Sequence, residues 1–215
     1  MYTNTLSKPT KRALEKLDSS VFFTETGAYL AGGTALALHL GHRYSEDLDF
    51  FTPKPFLPKT QIQFLSQIGE FKLNQTGWGT ILGEFEGAKF SLFYYQYKLI
   101  EKPQRILKST NLASLADIAS MKIAAIADRG TKRDFIDLFF LTRVFSLEKM
   151  LSYYDQKYAK LQANKTHILK SLFYFEEAEN DAPPQMIQTI DWQEVKKYFE
   201  KEVKKISQGL ITSAT

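Results

Sequence analysis

The stretch of residues 30–51, LAGGTALALHLGHRYSEDLDFF, constrains the fold more than any other part of this chain. Two glycines open it, a helix-forming run follows, and two aspartates separated by one leucine close it. Side chains alternate between the two faces of a strand, so we expect Asp47 and Asp49 on one face and their apolar neighbours in a core. The stretch therefore predicts a glycine turn, a short helix and a strand that carries paired carboxylates.

Each end of this stretch predicts a binding role. Two carboxylates about 7 Å apart on a strand repel each other unless a cation lies between them. Mg²⁺ (or Mn²⁺) suits such a pair, because Mg²⁺ favours one or two carboxylates completed by water and phosphate oxygens. At Gly32 and Gly33 the backbone lacks Cβ atoms and can approach an anion, towards which the following helix directs its N–H groups. Thr34 is expected at or near the N-cap, and Arg43 and Ser45 are further candidates for phosphate contacts.

Each half of the pattern has a structural explanation when it stands alone. Gly-Gly before a helix is usually a tight turn, and Asp-x-Asp is usually a solvated strand edge. Here the acids alternate with Leu48 and Phe50, so they belong to a buried or half-buried strand where an unpaired charge is costly. A calcium-binding EF-hand loop is excluded, because no glycine or third acid follows at the required spacing. The combination favours a binding site.

The composition excludes several classes of protein. With 215 residues, 44% apolar and 24% charged, the chain has ordinary globular composition. The net charge of +4 permits a nucleotide or nucleic-acid partner without requiring one. The absence of cysteine excludes disulfides, thiolate metal sites and a cysteine nucleophile. We expect a cytoplasmic protein without a membrane partner, since no apolar run approaches the roughly 18 residues of a span and the start lacks a signal-peptide pattern.

The order of predicted elements indicates an α/β fold followed by a helical part. We expect an α/β domain at residues 1–103, ended by Lys102-Pro103, and a helical domain at residues 104–215. The predicted elements are helix 10–19, a β-prone piece 21–23, strand 29–31, helix 34–40, strand 47–51, helix 59–68, strands 80–85 and 89–95, and helices 114–127, 134–145, 147–158, 166–175 and 192–206.

A second group of charged residues lies in the helical part. Lys122 sits in a largely apolar helix, so its ammonium must reach the surface or meet an anion. Arg129 shares its helix face. The other charges have structural explanations: Asp117 and Asp134 fit capping boxes opened by Ser114 and Thr131, and Asp137 fits a surface ion pair with Arg133.

These motifs together resemble a known family. The pattern of an apolar residue, Gly-Gly, a gap and Asp-apolar-Asp resembles the nucleotidyltransferase superfamily with the polymerase-β-like fold. The fuller string GGTALALHLGHRYSEDLDFF, the downstream DIASMKIAAIADRGTKRDFIDLFFL (117–141) and the closing DWQEVKKYFEKEV resemble the AbiEii/AbiGii toxin branch, abortive-infection proteins of prokaryotes. The resemblance implies a mixed sheet with flanking helices followed by a helical C-terminal part. It also implies metal-dependent transfer of a nucleoside monophosphate from an NTP to a hydroxyl of a tRNA 3′ end or a protein, and a cognate antitoxin as partner.

The resemblance also implies residue roles, with one departure. It implies that Lys122 and Asp134 face the metal site, where Lys122 neutralises triphosphate charge and Asp134 binds metal or accepts the proton of the attacking hydroxyl. Arg129 is expected to contact substrate. A third carboxylate normally lies on a later strand, and here that position is Ser91, for which Glu84 or Glu86 are possible substitutes. The alternative function is therefore a non-catalytic nucleotide- or RNA-binding protein on the same fold.

Overall fold

The computed structural model describes residues 1–159 and 165–212, which form two compact units that meet in the sequence at Ser114 and Leu115. Among the described residues, no helix is both long and apolar enough to cross a membrane. The first unit begins with a short 3₁₀ turn at Thr3–Thr5. Its helices are α1 (Lys8–Asp18), α2 (Phe22–Thr26), α3 (Gly32–Leu40) and α4 (Pro58–Ile68). Its strands are β1 (Tyr29–Leu30), β2 (Leu48–Thr52), β3 (Phe71–Gly77), β4 (Thr80–Phe85), β5 (Ala88–Tyr94), β6 (Gln104–Arg105) and β7 (Asn111–Leu112).

These strands form one mixed sheet in the order β3-β4-β5-β2-β1-β7-β6 within the described part of the chain. The pairs β2–β5 and β1–β7 are parallel, and the other neighbours are antiparallel. The mixed sheet with flanking helices confirms the predicted fold class. The predicted domain boundary followed residue 103, whereas the compact unit extends to Ser114, because β6 and β7 add to the edge of the same sheet.

One face of this sheet carries an aromatic core. Phe50 of β2 and Phe90 of β5 are buried, and their ring centroids lie 5.6 Å apart. Phe22 of α2 packs on both rings, with centroids at 5.6 and 6.1 Å. Leu48 and Phe50 are buried on this face, so Asp49, which lies between them in β2, faces the opposite side of the sheet.

Two local predictions in this unit differ from the structure. Residues 21–23 were predicted as a β-prone piece, which is wrong, because Phe22 and Phe23 begin helix α2 and are buried there. Burial of the two rings outweighs their intrinsic β propensity. Strand β3 was not predicted, because its side chains are mostly exposed and show no apolar alternation.

The second unit is helical, as predicted. Its helices are α5 (Leu115–Asp128), α6 (Lys132–Leu141), α7 (Leu147–Tyr158), α8 (Lys165–Ser171), α9 (Glu176–Glu179) and α10 (Trp192–Thr212). The buried ring of Phe135 in α6 lies at the centre of an aromatic cluster. Its centroid is 5.0 Å from that of Phe175, 6.0 Å from that of Trp192 and 5.6 Å from that of Phe199. This cluster joins α6 to the start and middle of α10.

Candidate active site

The glycine turn lies directly against the second aspartate. The backbone N–H of Ala31 donates to the carbonyl of Asp49 at 3.0 Å, which fixes the entry to α3 beside β2. Gly32 then adopts a left-handed φ of +67°. A Cβ atom at Gly32 would lie 3.0 Å from Asp49 Oδ2. Both glycines are partly exposed, so this turn presents accessible backbone beside a carboxylate.

The two aspartates share the accessible face of the sheet. Asp47 and Asp49 are partly exposed, whereas Leu48 between them is fully buried. The strand register pairs Asp49 with Ser91 of β5. Lys89 precedes Ser91 by two residues and points to the same side, and its Nζ lies 3.7 Å from Asp47 Oδ1. This ion pair is consistent with the predicted common face of the two carboxylates.

Ser91 occupies the strand position beside Asp49 where the resemblance leads one to expect a third carboxylate. The two possible substitutes lie elsewhere. Glu84 of β4 is in register with Lys89, one strand further from β2. Glu86 lies in the turn after β4 at φ 53°, where its carboxylate contacts Lys16 Nζ at 2.5 Å. Among residues 1–159 and 165–212, no group of three or more acidic, histidine or cysteine side chains is placed to hold a metal ion.

The loop that leads to Asp47 is held by buried hydroxyl groups. The N-cap of α3 is Ala31, so Thr34 lies near the N-cap, as expected, but not at it. Thr34 instead lies fully buried in the first turn, where its hydroxyl donates to the Asp47 carbonyl. That donation uses the only hydroxyl proton of Thr34, so Ser45 Oγ must be the donor in the 2.8 Å contact between the two hydroxyls. Arg43 is also buried and donates from Nη1 to the carbonyl of Tyr44 at 3.0 Å.

The second unit contains its own buried charge cluster. Lys122 Nζ lies 2.9 Å from Asp134 Oδ1 and 2.6 Å from Asp137 Oδ2, and both carboxylates are fully buried. Arg129 Nε contacts Asp134 Oδ2 at 3.1 Å from a half-exposed side chain. Thr131, the N-cap of α6, accepts from the Asp134 N–H and donates to Asp134 Oδ2 at 2.7 Å. The predicted cap of α6 by Thr131 is therefore confirmed, and an anion does meet the Lys122 ammonium.

The electrostatics of Asp134 follow from these contacts. Burial alone would raise the pKa of the Asp134 carboxyl, because it penalises the charged form. The charge of the Lys122 ammonium and the hydrogen bonds from Arg129 and Lys122 outweigh that penalty and lower the pKa to about 2. Asp134 is thus a carboxylate at every pH at which the chain would act.

One structural explanation from the sequence needs correction, and a second residue has a partner that the sequence did not indicate. Asp137 is fully buried and pairs with Lys122, so the predicted surface position of its carboxylate is wrong. Asp117 is also fully buried, and its Oδ1 contacts Lys157 Nζ at 2.7 Å. The partner of Asp117 lies on α7, far along the chain, and spacing within α5 carries no signal for it. Lys89 was not predicted as a neighbour of Asp47, because the parallel pairing of β2 with β5 that brings the two residues together has no local signal in the sequence.

Comparison with known proteins agrees with this geometry. A family model described as "Nucleotidyl transferase AbiEii toxin, Type IV TA system" matches residues 12–108 and 99–209. A protein of Aquifex aeolicus (strain VF5), described as uncharacterized, is 39% identical over 212 residues, covering 93% of this chain and 96% of its own length. The solved structure of MenT4, a nucleotidyltransferase toxin from Mycobacterium tuberculosis H37Rv, is 14% identical and superposes with a TM-score of 0.52 over 92% of this chain and 86% of that one. At that identity the likeness shows a common fold. Since the family model spans most of the sequence, the chain belongs to the AbiEii family of nucleotidyltransferase toxins from type IV toxin–antitoxin systems.

Proposed function

We propose that the chain transfers a nucleoside monophosphate from an NTP to a hydroxyl group, with pyrophosphate leaving, in a metal-dependent reaction. The observation that carries this proposal is the approach of the Gly32 backbone to the Asp49 carboxylate, where an added Cβ atom would lie only 3.0 Å from Oδ2. Backbone that can bind an anion and a carboxylate that can bind a metal ion therefore lie side by side. A triphosphate with its counter-ion is the ligand that needs both.

The residues present fit a divalent ion. Asp47 and Asp49 are two partly exposed carboxylates on one sheet face, which suits Mg²⁺ or Mn²⁺ completed by water and phosphate oxygens. Such an ion, when bound, neutralises triphosphate charge and polarises the reacting phosphorus. With Ser91 beside Asp49, the protein supplies few ligands of its own. We therefore expect the ion to bind tightly only together with an NTP.

The remaining work of the site is binding and orientation. The first N–H groups of a helix lack intrahelical acceptors, so the start of α3 at Gly32 and Gly33 would accept triphosphate oxygens. Catalysis of phosphoryl-centre substitution depends mainly on holding the two reactants in line and on stabilising charge. The phosphate contacts predicted for Thr34, Arg43 and Ser45 compete with the protein contacts that these side chains already make. We assign those three residues to shaping the loop.

The reaction roles predicted for Lys122, Asp134 and Arg129 stay predictions. Their contacts in the second unit include one another, Asp137 and Thr131, and these contacts also stabilise the fold there. Both Lys122 and Asp134 are buried, so we expect Lys122→Ala and Asp134→Asn to destabilise the fold clearly. Any test of their roles in transfer therefore needs activity normalised to folded protein.

The acceptor and the partners belong to the same proposal. We infer an RNA acceptor, a tRNA 3′ end, with a protein hydroxyl as the other acceptor to be tested. A toxin of this family acts beside a cognate antitoxin, and its NTP substrate is found in the cytoplasm. The net charge of +4 is compatible with an RNA partner.

The test combines transfer and binding. Purified protein is incubated with Mg²⁺, total tRNA and each of the four labelled NTPs in turn, and incorporation of label is followed. Asp47→Asn and Asp49→Asn should abolish incorporation while leaving the folded fraction unchanged. Binding of NTP or RNA without incorporation under every condition would instead favour the non-catalytic alternative, which the serine at position 91 would explain.

A further inference from the structure

Three consecutive residues of the loop before β2 are each held through a backbone group. The Ser45 N–H donates to the carbonyl of Thr5 at 3.0 Å. The Glu46 carbonyl accepts from Thr10 Oγ1 at 3.0 Å, and the Asp47 carbonyl accepts from Thr34 Oγ1. We call these three contacts the loop clamp. Two of its three contacts come from the first ten residues of the chain.

Asp47 needs such a clamp more than Asp49 does. Asp49 lies inside β2, paired with β5 and bonded through its carbonyl to Ala31. Asp47 precedes Leu48, the first residue of the strand, so the sheet ladder does not fix its backbone. The position of its carboxylate then depends on the peptide groups on either side of it, and the clamp holds both of them.

Thr10 is placed for this purpose. It is fully buried in the first turn of α1, 36 positions before Glu46. Its hydroxyl proton goes to the Glu46 carbonyl, since a carbonyl can only accept. Ser7 Oγ must therefore be the donor in its 2.8 Å contact with Thr10 Oγ1. Ser7 caps α1 by accepting from the Thr10 N–H, so the helix start has its cap without the Thr10 proton.

We infer that Thr10 is a positioning residue for the nucleotidyl-transfer site, which holds the Glu46–Asp47 peptide so that the Asp47 carboxylate stays beside that of Asp49. The inference rests on the proposed function, because it concerns the metal-binding pair. It adds a residue outside the family motif to the machinery of the reaction. It also makes the N-terminal segment part of the active-site architecture.

The variant that tests this is Thr10→Val, which keeps the shape and removes the hydroxyl. Thr10→Ser restores the donor and serves as the rescue. Thr26→Val is the matched control, since Thr26 is also buried and donates to a carbonyl, that of Phe22 at 2.6 Å, away from the loop. Each valine variant loses one donated and one accepted hydrogen bond of the hydroxyl, the accepted one coming from Ser7 Oγ at Thr10 and from the Ala28 N–H at Thr26. Their losses of stability should therefore be similar.

The first measurement is hydrogen–deuterium exchange of the loop peptide that contains residues 42–48, which requires no activity. Loss of one clamp contact should raise the rate of amide exchange in this peptide about five- to tenfold in Thr10→Val. Thr10→Ser and Thr26→Val should keep the wild-type rate. The second is Mn²⁺ affinity in the presence of a non-hydrolysable NTP analogue, expected to fall in Thr10→Val alone. The third is transfer, where kcat should fall about tenfold while KM for NTP changes little.

The outcomes separate this inference from the proposed function. If the wild-type protein binds no Mn²⁺ with the analogue and transfers no label, the proposed function fails, and the positioning role fails with it. If the wild type does both and Thr10→Val matches it in loop exchange, Mn²⁺ affinity and kcat, only the role of Thr10 is refuted. Equal effects of Thr10→Val and Thr26→Val on kcat would also refute it, because they would reduce the effect to general stability.

Discussion

Two glycines of this chain provide a controlled test of the site. Gly32 and Gly27 both have left-handed backbone conformations, with φ of +67° and +65°. An L-residue in that region costs about 1–2 kcal/mol, so alanine at either position should lower the free energy of unfolding by a similar amount. The two positions differ in what the added Cβ atom meets.

At Gly27 the Cβ atom would contact the flexible end of Lys54, with Cε at 3.4 Å. At Gly32 it would lie 3.0 Å from Asp49 Oδ2, with the Asp49 Cβ at 3.6 Å, so the carboxylate or the turn has to shift. The added methyl group would also occupy the space through which a phosphate reaches the backbone. Because misplacement of a reacting group by about 1 Å can cost about 100-fold, a smaller shift should cost Gly32→Ala about tenfold or more in transfer.

The assay is incorporation of label from NTP into total tRNA at equal concentrations of folded protein, with stability taken from urea unfolding. Gly27→Ala should keep activity within about twofold of the wild type and lose as much stability as Gly32→Ala. Equal activity of the two variants would refute the assignment of the glycine turn to the site. A large loss in both would show that left-handed strain, not the contact with Asp49, explains the effect.

Three further predictions concern charges. Lys122→Met should destabilise the protein by about 3–5 kcal/mol in urea unfolding, because it leaves two fully buried carboxylates without their ammonium; a loss below about 1 kcal/mol would contradict the importance of the cluster. In the folded wild type the pKa of Asp134 is lowered to about 2. Its ionisation therefore contributes about 2 kcal/mol to the free energy of unfolding above the unfolded pKa near 4, and this contribution is lost as pH falls through 2. Asp134→Asn should show a smaller loss of stability in acid. Lys89 pairs with Asp47 and would compete with a metal ion for its carboxylate. Because an exposed pair contributes about 0–1 kcal/mol, Lys89→Ala should raise Mn²⁺ affinity by at most about fivefold. Weaker Mn²⁺ binding of the variant in titrations would contradict this competition.

The elements around the paired aspartates could be predicted from the sequence because their signals are local. Alternation of Leu48 and Phe50 with acids predicted a strand within one residue of β2. The family resemblance identified Ser91 as the residue in the position of the third carboxylate, and the structure pairs it with Asp49. Helix α7 was predicted with its observed ends, since an apolar period and a serine cap define it. A period of two or 3.6 residues needs no knowledge of the remaining chain.

The residues that could not be predicted depend on distant partners. The sequence predicted that the Lys122 ammonium would reach the surface or meet an anion, but Asp137 as its second partner required the packing of α6 on α5. Thr10 resembles any first-turn threonine, and its bond to Glu46 spans 36 positions. Phe22 and Phe23 were misjudged because their burial, not their propensity, decided the local structure. Tertiary context overrides local preference at such positions.

The position of the label in the product tests the central claim most directly. Protein, Mg²⁺ and total tRNA are incubated in parallel with NTP labelled at the α-phosphate and with NTP labelled at the γ-phosphate, for the wild type and for Asp49→Asn. Nucleotidyl transfer predicts that the acceptor gains the α label only, that the γ label leaves as pyrophosphate, and that Asp49→Asn shows neither event. Appearance of the γ label on the acceptor, or undiminished α labelling by Asp49→Asn, would contradict it.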